Sequence, residues 1–328
     1  QRLNDGREKP YLPFLVEIGN ENTLNFTGKE PIPCRDSCAN FSARWAERAL
    51  AMDAKARSLG LYLTFIVGFD AGVGGGQSCS KQALQDVEMS ILNMAELAAP
   101  LGPRAVWDCH TGGDSPSDGN ITASALQELQ SILQHAGSQM RAAVLEENGG
   151  THDMLRMLGH VTQNHALSRL GEFVVVNTVA TGLQPLGRNS VGWDQGNIFF
   201  TPNQAWLAPP AIATRMIASV SRGMPNVLKV EHRTGLDVLA TQSRIGDRLG
   251  LRVANPTNAT LHTSFDISGW HAGFVSVEIL QCADPSEVRV ETTTTNTTLT
   301  ELTRDGWKFA PYSFTTFLSV RTEGSLWI

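Results

Sequence analysis

From Pro10 to about Pro225 the chain alternates short apolar runs with longer amphipathic stretches, and near Pro225 that alternation stops. Residues 14–17, 62–67, 105–109, 142–146 and 173–177 have the length and composition of buried strands, and residues 42–59, 80–99, 124–136, 151–170 and 209–221 have helical spacing. Start and stop signals agree with this division. Ser80, Thr122 or Ser124, and Thr151 are placed to cap helices, Gly60 and Gly137 to end them, and Pro210 suits a first turn. Such a repeat predicts an α/β domain with a parallel sheet over residues 1–226. Beyond it, short Val/Thr/Phe-rich runs at 227–230, 238–242, 249–254, 260–267, 275–280, 288–293 and 313–320 predict an all-β sandwich over residues 227–328.

Strand ends carry the chemistry. The first apolar run leads into Glu17-Ile18-Gly19-Asn20-Glu21, and the fourth ends in Leu145-Glu146-Glu147-Asn148-Gly149-Gly150. In a barrel of parallel strands, catalytic groups sit at such C-terminal ends. Two strand-end carboxylates fit a glycosidase, in which one carboxyl protonates the leaving oxygen and the other attacks the sugar or activates water. Only one of Glu146 and Glu147 can enter a site, because neighbouring strand residues face opposite ways. Glu17 shares strand parity with Glu21 and reads as a structural or supporting group. A third strand end, Trp107-Asp108-Cys109-His110, offers His110 with Asp108 to orient it, and Trp107 for packing.

Other patterns exclude more than they assign. A formal net charge of −6 without Lys/Arg clusters gives no basic face for nucleic acid. No apolar run is long enough to span a bilayer. His152, His160 and His165 share one helix, but their spacing does not place all three on one face for a metal. Gly72-Val73-Gly74-Gly75-Gly76 lacks the Lys-Ser/Thr of a phosphate-binding loop and reads as a flexible loop. Five sequons, at Asn25, Asn40, Asn120, Asn258 and Asn296, are glycosylation candidates and suggest a secreted or cell-surface protein. The loop cysteines Cys34, Cys38 and Cys79 favour disulfides, whereas strand-borne Cys109 and Cys282 could be free.

The Gly19-Asn20-Glu21 strand end, the Trp107-to-Gly113 strand end, Leu145-Glu146-Glu147-Asn148 and the closing all-β region together resemble the α-L-arabinofuranosidases of glycoside hydrolase family 51. The resemblance implies a (β/α)8 TIM barrel followed by a β-sandwich, and hydrolysis with retention of configuration. It makes Glu21 the acid/base, with a pKa raised by its partner's charge, and Glu147 the better match for the nucleophile. Asn20, His110, Gln184 and Trp193 become candidate sugar-binding residues, with Asn177, Asp194 and Gln195 in the same region. No metal or organic cofactor is implied. Glu21 after a fourth strand would make this chain strands four to eight. That implies a carbohydrate substrate and a complementary polypeptide carrying the first half of the barrel. The competing expectation is a non-catalytic glycosidase-like extracellular glycoprotein that binds carbohydrate or serves a structural role.

Overall fold

The computed structural model describes residues 15–19, 37–68, 79–187, 194–231, 234–267, 269–270 and 273–321. The chain forms two compact units, Gln1–His110 with Ser124–Leu145 and Glu172–Asn177, and Thr111–Ala123 with Glu146–Gly171 and Thr178–Ile328.

In chain order the elements of the α/β region are β1 (Leu15–Ile18), α1 (Ser37–Ser58), β2 (Thr64–Val67), α2 (Lys81–Asp86), α3 (Glu88–Leu97), β3 (Ala105–Asp108), β4 (Thr111–Gly112), α4 (Asp118–His135), β5 (Arg141–Asn148), α5 (Met154–Arg169) and β6 (Val174–Val179). The strand order is β1-β2-β3-β5-β4, all parallel, with β6 also paired to β5. This is the parallel sheet that the repeat predicted, and it is the half-barrel sheet that the resemblance implied.

Within the first unit, α1 buries Ser42, Trp45, Ala46, Ala49, Asp53 and Ala56, the stripe that a 3.6-residue period produces. Trp45 Nε1 donates to the Ile66 carbonyl of β2 at 3.2 Å. Buried Asp53 is neutralised by Arg104, whose Nη2 donates to Asp53 Oδ2 at 3.0 Å, and by Arg57 at 2.8 Å. Gly60, at φ 70°, ends the helix as expected, because a side chain there would strain the left-handed backbone.

Two helices differ from expectation. The single helix over 80–99 breaks at Val87 (φ −112°, ψ 16°), a β-branched and weak helix former, although Ser80 does cap its start and accepts from Ala83 N at 3.1 Å. The next helix begins at Asp118, earlier than 124, because the Asp118 carboxylate accepts from Ser115 N and Oγ at 2.9 and 3.0 Å and closes a turn there. At the C-terminal helix of this region Asp153, not Thr151, is the cap, accepting from Arg156 N at 2.9 Å.

Cys109 is bonded to Cys79, not free. It lies one residue beyond β3, and the loop before α2 passes close enough for Cys79 N to donate to the His110 carbonyl at 2.9 Å, leaving the Cα atoms 5.2 Å apart. Cys282 is free, just past a strand of the second unit. Cys34 lies outside the described residues.

The second unit continues with β7 (Leu183–Pro185), β8 (Ile198–Thr201), β9 (Gln204–Leu207), α6 (Pro209–Ser221), β10 (Asn226–Leu228), β11 (Asp237–Gln242), β12 (Arg248–Asn255), β13 (Leu261–Thr263), β14 (Phe274–Leu280), β15 (Thr292–Thr298), α7 (Leu299–Arg304), β16 (Trp307–Phe309) and β17 (Ser313–Val320). Six of these strands form an antiparallel sheet in the order β10-β11-β12-β17-β14-β15. Val238, Val253, Val275, Val277 and Phe317 on one face pack with Phe309, Trp307 and Leu261 of the β13-β16 pair and Leu302 of α7. Ala254, Leu280 and Phe314 on the other face pack with Met157 and Val161 of α5 and Met216 of α6. The run expected at 288–293 becomes a strand only from Thr292, because Asp284 and Glu287 hold the preceding residues in turns.

A partly buried charge cluster ties α5 to β11. His165, fully buried, donates from Nδ1 to Asp237 Oδ2 at 3.0 Å, and Arg169 Nη2 donates to Asp237 Oδ1 at 2.6 Å. Burial holds the His165 pKa down to about 4 against the opposing pull of Asp237. For Asp237 burial pushes upward, but His165 and Arg169 outweigh it and the pKa falls to about 2. An unfolded chain therefore binds a proton at His165 first, so stability is lost as pH falls from about 6.5 towards 4, by up to about 3 kcal/mol. Asp237 adds a further loss as pH falls below 3.8, the ordinary value of an aspartate carboxyl. Urea unfolding should show a lower midpoint at about pH 5 than at about pH 7. A midpoint unchanged between them would contradict this.

Candidate active site

The two carboxylates at the end of β5 are placed differently by a break in strand register. Asp108 pairs with Ala143, but Thr111 pairs with Glu147, so four steps on β5 match three on the facing chain. The extra residue is a bulge. Asp108 Oδ1 accepts from Leu145 N inside it at 3.0 Å, and Cys109 N reaches the Ala143 carbonyl at 2.9 Å. A bulge reverses the alternation of side chains beyond it. Glu147 is thereby turned towards α5.

Glu147 is 0% exposed. Its Oε1 and Oε2 accept from His160 Nδ1 at 2.8 and 2.9 Å, and Arg156 Nη1 lies 3.1 Å from Oε1. Arg156 Nη2 also donates to the Glu147 carbonyl at 3.1 Å. His160 Nε2 is 2.9 Å from Thr214 Oγ1, whose own hydrogen goes to the Pro210 carbonyl. Space for this network comes from two glycines. A Cβ on Gly113 would lie 2.3 Å from Arg156 Nη1 and one on Gly149 2.4 Å from Arg156 Nε. Glu147, expected rather than Glu146 to meet a substrate, is thus fully buried here against Arg156 and His160. Glu146, on the opposite side of the strand, is half-buried, with Asn148 Nδ2 at 3.5 Å from Oε2.

The loop after β5 meets the segment after β6 within the second unit. Gly149 N donates to Gln195 Oε1 at 2.7 Å, and Gln195 Nε2 donates to Thr181 Oγ1 at 3.2 Å. Buried Gln184 donates from Nε2 to Asp194 Oδ1 at 3.1 Å, and the other oxygen of Asp194 is 3.0 Å from His152 Nδ1. His152 stacks on Phe199, with ring centroids 4.0 Å apart, and Phe199 in turn stacks on Trp206. Gln184, Asp194 and Gln195 are thus brought together. His110, in the first unit, is buried with Nε2 2.9 Å from Asp108 Oδ2, the orientation expected of that pair. Asn177 lies on β6 and is half-buried.

Asn20, Glu21, Trp193, Asn25 and the 72–76 glycine loop lie outside the described residues. Asn40 falls within α1, while Asn120, Asn258 and Asn296 are exposed. His152 lies just before α5 rather than on it, and His152, His160 and His165 each face a different carboxylate, Asp194, Glu147 and Asp237. Among the described residues no group of three or more His, Cys, Asp or Glu is placed to hold a metal ion. No described helix is long and apolar enough to cross a membrane. Sequence reasoning missed Arg156 and His160 as partners of Glu147. Their position on the helix that follows β5 was a signal, but their i,i+4 spacing alone does not reveal which strand residue they meet.

No family model matches the sequence, and no curated protein does. Solved structures do match in fold. An α-L-arabinofuranosidase from Thermotoga maritima, in complex with arabinose, superposes with a TM-score of 0.71 at 15% identity, over 97% of this chain and 69% of its own. A family 51 α-L-arabinofuranosidase from Bifidobacterium longum superposes with a TM-score of 0.69 at 12% identity, over 98% of this chain and 69% of its own. A family 30 endoxylanase from Clostridium papyrosolvens superposes less well, with a TM-score of 0.55 at 12% identity over 97% of this chain. Over nearly all its length the chain has the fold of glycoside hydrolase family 51 α-L-arabinofuranosidases, matching part of those proteins as a C-terminal portion would.

Proposed function

We propose that this chain is the larger part of a retaining glycoside hydrolase of α-L-arabinofuranosidase type, acting on arabinose-containing polysaccharide or glycan. The observation that carries the reading is the bulge in β5. It decides which of two adjacent strand-end acids is buried and which half-buried, in a chain whose fold is that of arabinofuranosidases. Bulges commonly re-aim side chains beside active sites. In this reading Glu146 is the nucleophile and Glu147 anchors the strand end from behind. Glu146 attacks the anomeric carbon while Glu21 protonates the leaving oxygen; Glu21 then takes a proton from the water that releases the sugar. Gln184, Gln195, Asn20, Trp193 and His110 hold the sugar. A complementary polypeptide or segment extends the sheet beyond β1, which is an edge strand among the described residues.

The test is made on protein isolated from its source without denaturant, together with whatever polypeptide accompanies it. An aryl α-L-arabinofuranoside is supplied and the first-formed sugar is followed by proton NMR. Turnover with the α-anomer formed first is expected. No turnover by the intact assembly, or release of the β-anomer first, would count against the proposal.

A further inference from the structure

β15 reads Thr-Thr-Thr-Thr-Asn-Thr-Thr and ends one side of the six-stranded sheet, paired to β14 with no strand beyond it among the described residues. Its register with β14 is unbroken from Phe274↔Thr298 to Leu280↔Thr292. An uncharged edge of β-branched residues with no Pro, Gly or bulge is a template for pairing with another chain. The opposite edge, β10, is only three residues long and is followed by Lys229 and Glu231. β15 has none of these protections in its own sequence. At the fifth of its seven positions stands Asn296, exposed, opposite Ser276, and the first residue of an Asn296-Thr297-Thr298 sequon. The other described sequons lie elsewhere, Asn40 in α1, Asn120 in the first turn of α4 and Asn258 in the loop after β12.

We propose that Asn296 carries an N-linked oligosaccharide and that this sugar guards the β15 edge. Asn296 Nδ2 forms a bond to the anomeric carbon of an oligosaccharide donor linked through pyrophosphate to a lipid. The bond from that carbon to the pyrophosphate oxygen breaks, the lipid pyrophosphate leaves with the electron pair, and the amide nitrogen gives up one proton. A hydrated branched sugar in mid-strand excludes an incoming strand sterically, as an edge lysine does by charge.

The experiment combines peptide mapping of the full chain from its source with sedimentation velocity of variants secreted from a eukaryotic host. Substitution is made at Asn296 rather than Thr298, because Thr298 Oγ1 caps α7 by accepting from Glu301 N at 3.1 Å. Asn296 is expected to be occupied. Asn296→Gln should shift towards larger, concentration-dependent species, while Asn296→Lys should stay unassociated as the glycosylated chain does. Unmodified Asn296 in the native protein overturns the proposal. So does an Asn296→Gln protein that stays unassociated, or Asn296→Lys self-associating as Asn296→Gln does. None of these readouts depends on glycosidase activity.

Discussion

Replacing Glu146 with glycine is expected to lower hydrolysis of an aryl arabinofuranoside by the intact assembly on the order of 10⁴-fold, and added azide should restore part of it as the azide adduct. The same substitution should cost only about 1 kcal/mol of folding stability, because Glu146 is half-buried rather than fully buried. The two readouts together separate a nucleophile from a structural acid. If azide rescues a Glu147→Gly protein and does nothing for the Glu146 variant, the assignment made from the bulge fails.

Glu147→Gln should show the reverse pattern. Removing one member of a buried ion pair strands its partners without a counter-charge, which costs about 3–5 kcal/mol. Here the stranded charge is buried Arg156, whose Nη1 faces the position of the lost carboxylate, and buried His160 loses a charged partner at Nδ1. Urea unfolding should therefore show a large fall in midpoint with an unchanged slope. The fraction that remains folded should keep turning over substrate. Loss of turnover in fully folded Glu147→Gln protein, with stability intact, would return the nucleophile to Glu147. His160→Phe should destabilise in the same direction, and a double-mutant cycle with Glu147→Gln should show strong non-additivity, since the two side chains share two contacts below 3 Å.

Much of this molecule is written in local pattern. The alternation of apolar runs and amphipathic stretches is enough for a parallel α/β sheet, since each buried strand must be followed by a helix that covers it. Ser80, Gly60 and the proline pair opening α6 act where their backbone preferences place them. The change of texture near Pro225 marks the passage into antiparallel strands, because period-two alternation suits a sheet and cannot supply a helical stripe. These features follow from near neighbours in the chain, and near neighbours are visible in a sequence.

What depended on distant partners was not visible. Alternation along the strand says that only one of Glu146 and Glu147 can enter a site, but not which, and the extra residue between the Asp108 and Thr111 pairings can be found only by laying one strand beside the other. The Cys79 to Cys109 bond was hidden for a similar reason, since it joins two loop ends 30 residues apart that meet only after β2 and β3 have paired. Sequence by itself determined the layers of the fold, the two strand-end acids and the edge sequon. Only tertiary structure decided which of Glu146 and Glu147 is buried against α5, because the direction of a side chain at a strand end is set by a hydrogen-bond ladder with another strand and not by its own residues.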